Sequence, residues 1–180
     1  MSKRNFPLSK VYGLLEPGPV LLLTTSHKGR SNVMPLSWHT VMEFEPPLVG
    51  CVVSAHDFSF RALKATRQCV LNIPTVSLVT QVLGCGNTSG ENLDKFKQFG
   101  LTALAAPDAT TRAPLIAECY AHLACRVVDT RFVNRYNFFV LEVTQAWIDP
   151  GISDPRTLHH RGRGQFMVAG DTFKLPSKMR

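Results

Sequence analysis

Apolar residues recur along the first half of the chain in short runs, each about as long as a β-strand. An apolar run at 20–23 begins a predicted buried strand over 20–26, and residues 27–30 predict a hairpin turn. Residues 31–44 form one long extended segment, in which Pro35 requires a sheet edge or a bulge. Further strands are predicted over 48–54 and 69–73, after a turn at 45–47.

Short helical patterns separate these strands. Helices are predicted over 10–15, which Pro17-Gly18-Pro19 ends, over 57–67 with Asp57 or Ser59 as N-cap, over 76–83, and over 93–99 with Gly100 as C-cap. Few of them are long enough to serve as the crossover helices of a doubly wound parallel sheet.

The second half alternates between apolar and polar positions, as expected for a sheet with one buried face. Between 119 and 127 the odd positions are apolar, whereas the even ones include Tyr120, His122 and Arg126. A turn at 133–136 leads into a long strand over 138–148 that is rich in β-forming residues. The pattern predicts a mainly antiparallel, Greek-key type β-barrel with helical insertions.

Composition supports a single folded domain. The chain has 180 residues, of which 44% are hydrophobic and 18% charged, and this balance excludes a disordered chain. We expect one domain over 1–180, with a core over about 11–150 and a basic C-terminal segment over 151–180. No apolar run approaches the roughly 20 residues that span a bilayer, and no signal peptide is evident, so we expect a cytoplasmic protein.

The five cysteines indicate reduced thiols, because their number is odd and no CxxC motif occurs. Cys85, between Gly84 and Gly86, is the only one in a predicted loop. No metal site is expected, because the histidines and cysteines lack the spacing of zinc ligands.

Positive charge is concentrated near the C-terminus. The net charge of the chain is +7, and residues 155–180 carry six basic residues against Asp171 alone, a net of +5. This segment is either a solvated tail or an anion site for a phosphate, a dinucleotide or a nucleic acid.

Common catalytic motifs are absent. The chain has no GxGxxG after a strand, no GxxxxGK[ST], no GxSxG and no HExxH. Rossmann dehydrogenases, P-loop enzymes, α/β-hydrolases and zincins are therefore disfavoured, and polar residues at strand ends remain as candidates.

The first candidate stretch is 32–40, which carries Asn32, Ser37, Trp38 and His39 in an extended segment. Its backbone could hydrogen-bond the edge of a planar heterocycle, with Met34 and Trp38 as apolar walls. The alternative is an edge strand with a packed tryptophan.

The second stretch, 54–61, leads from a strand end into a helix. Free amides at a helix N-terminus attract phosphate, and Ser54 and Ser59 could add hydroxyl donors. The alternative is ordinary capping, and the Asp57 carboxylate would repel a phosphate if it pointed inward.

The third stretch, 84–96, is glycine-rich and polar, and it leads into a helix. It is either a mobile loop or a loop that covers a substrate.

Together these stretches resemble the flavin reductase-like proteins with the FMN-binding split-barrel fold, most of all the flavoredoxin branch. The resemblance covers roughly residues 11–150 and rests on the ordered segments 20–25, 29 with 32–38, 45–49, 54–59, 70–74 and 89–96. The segment 159–166 also resembles the closing part of that family.

The resemblance implies a homodimer of six-stranded split barrels with FMN near the dimer interface. It implies these cofactor-binding residues: Asn32, Met34, Pro35, Leu36, Ser37, Trp38, Ser54, His56, Ser59, Phe60, Asn72, Ser89 and Lys95. No catalytic side chain is implied, because the flavin carries the chemistry, and Lys95 or backbone amides could stabilise charge on the reduced ring. Asp57 departs from what a phosphate seat needs.

The resemblance leaves two functions open. One is an oxidoreductase that transfers a hydride from NAD(P)H to flavin. The other is a non-catalytic FMN-binding electron carrier that a partner protein reduces. A third, more remote hypothesis is a basic module that binds nucleic acid through its tail.

Overall fold

The computed structural model describes residues 3–15, 18–107 and 109–178. Pro17, from the predicted helix stop, and Arg180, from the basic segment, lie outside these residues. The strands within them are β1 (Arg4–Asn5), β2 (Leu21–His27), β3 (Arg30–Leu36), β4 (His39–Phe44), β5 (Pro47–Val52), β6 (Gln68–Ile73), β7 (Ala103–Leu104), β8 (Leu115–Ile116), β9 (Ala121–Asp129), β10 (Phe138–Ile148), β11 (Leu158–Gly162) and β12 (Gln165–Val168). The helices are α1 (Tyr12–Leu15), α2 (Phe58–Thr66), α3 (Val79–Asn87), α4 (Lys95–Phe99) and α5 (Val133–Tyr136), with 3₁₀ turns at Leu8–Lys10 and Val76–Leu78.

The main sheet has the strand order β3-β2-β6-β9-β10-β5-β4, with β1 paired to β10, and every pairing is antiparallel. The predicted mainly antiparallel fold is confirmed. The prediction of one extended segment over 31–44 is wrong in one respect. The strand is interrupted at Ser37 and Trp38, and the two parts, β3 and β4, lie at opposite ends of the sheet order. Pro35 lies in the edge strand β3, where its missing N–H costs no ladder bond.

Strand β2 is buried on both faces. Leu21 and Leu23 belong to the main core, whereas Leu22 packs into a second cluster with Val82 of α3 and Phe96 of α4. This two-sided burial explains the unbroken apolar run in the sequence. It also means that α3 and α4 cover the outer face of the sheet beside β3.

Strand β9 does not follow the predicted alternation at its first residues. Leu123 and Cys125 face the main core, but Ala124 is buried in a third cluster with Trp147, and His122 is buried as well. Because both faces are covered here, the polar residue at 122 lies inside the protein.

His122 and Asn72 form the centre of a buried polar network. The Asn72 side chain accepts from the Ile116 amide at 3.0 Å and donates to the Leu22 carbonyl at 2.9 Å. His122 Nδ1 lies 2.8 Å from the same Asn72 oxygen, so we assign the proton to Nδ1. His122 Nε2 is buried without a partner. Burial, with a contribution from Lys3, lowers the pKa of His122 to about 3.

Helix α3 continues to Asn87 and includes the glycine-rich sequence that predicted a loop. Cys85 is therefore a helical residue with 1% of its surface exposed, and burial raises the pKa of its thiol to about 11. The glycine at 84 is required by packing, because a Cβ there would overlap the Phe99 ring of α4.

Strands β11 and β12 form a C-terminal hairpin that the sequence pattern did not predict. Leu158 is fully buried, and Phe166 and Val168 pack against the second cluster. The Val20 amide donates to the Leu158 carbonyl at 2.7 Å, which fixes the hairpin beside β2. Residues 170–178 are exposed. Within the described residues, no helix combines the length and apolar character needed to cross a membrane.

The substitution His122→Gln should flatten the acid limb of the stability profile. Only the unfolded wild-type chain takes up a proton at residue 122 below pH 6.5, so its stability is lost as pH falls. The slope of about 1.4 kcal/mol per pH unit predicts a loss of about 2 kcal/mol between pH 6.5 and about pH 5. Urea unfolding at several pH values measures this, and parallel profiles for the two proteins would contradict it.

Candidate functional site

A polar cleft of about 250 Å³ lies between the start of α2 and the connection from α3 to α4. The edge strand β3 forms its third side. The lining side chains that can bind a ligand through polar atoms are Asn32, His56, Asp57, Ser59, Asn87, Thr88, Ser89 and Lys95. We call this space the polar cleft.

The N-terminus of α2 opens into the polar cleft without a side-chain cap. Asp57 occupies the N-cap position, but its carboxylate turns back and accepts from the Ser54 amide at 2.9 Å. The first amides of the helix, at Phe58 and Ser59, therefore receive no side-chain acceptor. Such amides and the positive end of the helix dipole favour an anion.

Ser59 is fixed by a buried hydrogen bond. Asn32 Nδ2 donates to Ser59 Oγ at 2.8 Å, so the serine hydroxyl can donate its own proton to a ligand in the cleft. Gly90 packs against the Asn32 amide so closely that a Cβ there would overlap Asn32 Oδ1. The loop at 90 and the start of α2 are thus held together through one side chain of β3.

Arg30 fastens the same loop from outside. Its guanidinium donates to the Gly90 carbonyl and, at 3.1 Å, to the Glu91 carbonyl, and it lies 5.0 Å from the centroid of the Phe58 ring. Asp94 then caps α4 by accepting from the amides of Phe96 and Lys97. The connection between α3 and α4 is therefore extensively hydrogen-bonded, which favours a fixed wall over a mobile loop.

Lys95 supplies the positive charge of the polar cleft. Only 5% of its surface is exposed, and Nζ donates to the Cys85 carbonyl at 2.6 Å. Burial lowers the pKa of Lys95, whereas Cys85 and Asp57 raise it. A ligand anion in the cleft would favour the charged form in the same way.

A second cleft of about 440 Å³ adjoins the first and shares Pro35, Gly86 and Asn87 with it. Its walls are the aromatic side chains Trp38 and Phe166, the apolar residues Val20, Val82 and Leu83, and the hairpin residues His160, Arg163 and Gly164, with Ser37 beside Trp38. We call this space the aromatic cleft. Trp38 is 72% exposed and forms its rim.

The structure brings nine of the thirteen expected cofactor-binding residues to these two clefts. Asn32, Met34, Pro35, His56, Ser59, Ser89 and Lys95 line the polar cleft, and Pro35, Ser37 and Trp38 line the aromatic cleft. The two clefts adjoin at Pro35 of β3 and at Gly86 and Asn87 of α3.

The other four expected residues, Leu36, Ser54, Phe60 and Asn72, line neither cleft. Asn72 is fully buried in the network with His122, and Leu36 belongs to the main core. Phe60 packs edge-on against Phe139, with ring centroids 5.6 Å apart. Ser54 shapes the turn before α2, where its hydroxyl accepts from the His56 amide.

Sequence reasoning predicted a helix over 76–83 and a candidate loop from residue 84, but not that α3 continues to Asn87 and lines both clefts. It also did not predict the C-terminal hairpin. The hairpin left a usable signal, since Gly162-Arg163-Gly164 lies between two short segments of β-forming character.

Comparison with known proteins identifies the family. The family model described as "Flavin reductase like domain" matches residues 14–167. This chain belongs to the flavin reductase-like family. The YddH protein of Escherichia coli K12 is 30% identical over 171 residues, which are 87% of this chain and 89% of YddH.

Solved structures of flavin reductase-like proteins share the architecture, which is a split β-barrel. An FMN-binding domain of a flavin reductases-like enzyme from Shewanella baltica superposes with a TM-score of 0.90 at 26% identity, covering 97% of this chain and 98% of that one. A flavoredoxin from Methanosarcina acetivorans has a TM-score of 0.74 at 28% identity, covering 89% of each chain.

The substitution Gly90→Ala should destabilise this flavin reductase-like domain. The new Cβ would displace the buried Asn32 side chain and weaken its bond to Ser59, at a cost of about 1–3 kcal/mol. Urea unfolding measures the effect. The matched control is Gly170→Ala, because nothing lies within 4 Å of a Cβ at that position. Equal stability of the two variants would contradict the close packing at Gly90.

Proposed function

We propose that this chain binds FMN and acts as a flavin reductase-type oxidoreductase that transfers a hydride from NAD(P)H to flavin. The observation that carries the proposal is the junction of the two clefts along β3. An anion site at a helix N-terminus continues there into a slot with aromatic walls. FMN combines a dianionic phosphate with a planar ring system, and it needs both kinds of surface.

The polar cleft has the donors that a phosphate requires. The uncapped amides of α2, the Ser59 hydroxyl and the Lys95 ammonium all lie around it. Charge-assisted bonds from such donors are the stronger class of hydrogen bond. The Asp57 carboxylate, which the sequence left in doubt, also lines this cleft. It accepts from the Ser54 amide, and the Lys95 ammonium opposes its charge.

The aromatic cleft suits the ring end. Pro35 and Leu83 offer apolar surface, and Trp38 offers a flat face at the rim. The free edge of β3 adds backbone groups that can bond the polar edge of a flavin. Lys95 lies at the polar cleft and not among the residues of the aromatic cleft, so its charge serves the phosphate end rather than the ring.

Bound FMN would supply the redox chemistry by accepting a hydride from the nicotinamide donor. The protein has to hold the phosphate, orient the ring and exclude water from one of its faces. No metal-binding cluster occurs among the described residues. Ser59 and Lys95 in the polar cleft and Arg163 in the aromatic cleft can donate hydrogen bonds to a ligand.

The flavoredoxin from Methanosarcina acetivorans favours a second candidate, an FMN-binding electron carrier that a partner protein reduces. The two functions differ in the source of electrons. Steady-state oxidation of NADH or NADPH by the FMN-loaded protein separates them, because a pure carrier would not accelerate it.

We also propose that the protein is a cytoplasmic homodimer. All five cysteines are free and buried, which supports a reducing compartment. Strand β4 ends the sheet opposite β3, pairs only with β5, and leaves Met42 and Phe44 about half exposed. A second copy that covered this edge would protect its backbone groups and apolar side chains.

Wild-type protein should bind FMN at least about tenfold more tightly than riboflavin, because riboflavin lacks the phosphate. Ser59→Ala should weaken FMN by about 1–2 kcal/mol and leave riboflavin unchanged. Flavin fluorescence quenching gives the dissociation constants, and Ser153→Ala, at an exposed serine outside both clefts, is the matched control. Equal affinities for the two flavins would refute the phosphate site.

Sedimentation equilibrium should give about twice the chain mass of 20.0 kDa. Phe44→Glu should shift the protein toward monomers, because it places a charge in the apolar contact. Leu104→Glu changes an exposed apolar residue of β7 in the same way and should leave the dimer intact. A wild-type protein that sediments as a monomer of about the chain mass would contradict the dimer.

A further inference from the structure

The turn of the C-terminal hairpin holds an arginine in an unfavourable backbone conformation. Gly162, Arg163 and Gly164 all have positive φ, of 90°, 51° and 74°. Glycine adopts this region freely, but arginine does so at a steric cost. Such local strain is concentrated at functional sites, where the position of a side chain matters more than its backbone energy.

The hairpin places that arginine, which is exposed, at the wall of the aromatic cleft. His160 and Phe166 are paired across β11 and β12, with ring centroids 5.2 Å apart, and both line the cleft together with Arg163. Arg161, the neighbour of His160, does not line it, as expected when successive side chains of a strand point to opposite faces. Leu158 and Phe166 pack in the second cluster and anchor the hairpin.

Arg163 gives the aromatic cleft an unbalanced positive charge. Among the described residues that line this cleft, it is the one with a formal charge, and no carboxylate accompanies it. His160 and Asn87 add further polar atoms at the same wall. A cleft of this kind attracts an anion that also carries a planar group.

We propose that Arg163 binds the pyrophosphate of the nicotinamide dinucleotide, which makes the β11–β12 hairpin the element that recognises the electron donor. This inference rests on the proposed function, since it assumes that the flavin phosphate occupies the polar cleft. The pyrophosphate of the dinucleotide is then the remaining anionic group for which no cationic partner in the protein has been assigned.

The structure also narrows the role of the basic C-terminal segment. Residues 171–178 are exposed, and Arg156 and Arg161 are absent from the walls of the cleft. Deletion of 155–180 would remove Leu158, Phe166 and Val168 from the second cluster, so its effect would mix folding with binding. A single substitution at the turn is the sharper test.

The test compares Arg163→Asn with wild type in the FMN-loaded full chain. Asparagine tolerates the left-handed region, so this variant removes the charge and keeps the turn. The KM for NADH and NADPH and the calorimetric dissociation constant for NADP⁺ should rise about tenfold, with kcat and FMN affinity unchanged. Arg163→Lys should recover part of the loss. The matched control, Arg161→Asn, should behave as wild type.

Three outcomes would overturn the proposal. Equal losses of dinucleotide affinity in Arg163→Asn and Arg161→Asn would show that the positive charge of the whole surface, rather than Arg163 itself, attracts the dinucleotide. A parallel loss of FMN affinity would assign Arg163 to the flavin. If the wild-type protein did not bind NADP⁺, the ligand proposed for Arg163 would be wrong. If FMN binds and no turnover occurs, the reductase function fails, yet NADP⁺ affinities that still differ about tenfold between wild type and Arg163→Asn would uphold the subsite.

Discussion

The free edge of β3 is the constraint on which the candidate site depends. Strand β3 pairs with β2 on one side only, and half of its backbone groups point away from the sheet. The protein covers this edge with α2, α3 and the loop at 90, but it does so incompletely, and the two clefts are the remaining space. Pro35 lies at the junction of the two clefts. Proline is tolerated there because β3 is an edge strand, whereas a central strand would not tolerate it.

The burial of β2 on both faces explains how the elements that cover the edge of β3 are held in place. Because Leu22 faces outward into the second cluster, α3, α4 and the hairpin are anchored beside β3 by the hydrophobic effect. Hydrogen bonds then fix the details, with Arg30 on the loop carbonyls and Asn32 on Ser59. The walls of the site thus rest on the same packing that stabilises the domain, which favours a preorganised binding site.

The longer strands of the main sheet were predictable from the sequence, since each apolar run or alternating segment reflects the burial of a sheet face. Residues on β3 and at the start of α2 were also predictable as site candidates, because polar groups at an edge strand and a helix N-terminus have few structural uses. The buried network of Asn72 and His122 was not predictable, since a buried polar pair looks the same in sequence as an exposed one until its hydrogen bonds are known. The glycines of α3 led to the wrong prediction of a loop for a related reason. Gly84 is required by the close packing of the Phe99 ring rather than by a turn.

The two clefts differ in their charged groups, and this difference suits them to different ligands. In the polar cleft, Lys95 and the α2 dipole face Asp57, so the site holds balancing charges and is selective for an anion that fits its geometry. In the aromatic cleft, Arg163 stands without a carboxylate at the end of a hairpin, and it is suited to attract a ligand that comes and goes. A tightly held cofactor and an exchanging substrate call for these two arrangements. The left-handed turn at Arg163 fits this assignment, because it places one cation at the wall of the aromatic cleft, whereas Arg156 and Arg161 line neither cleft.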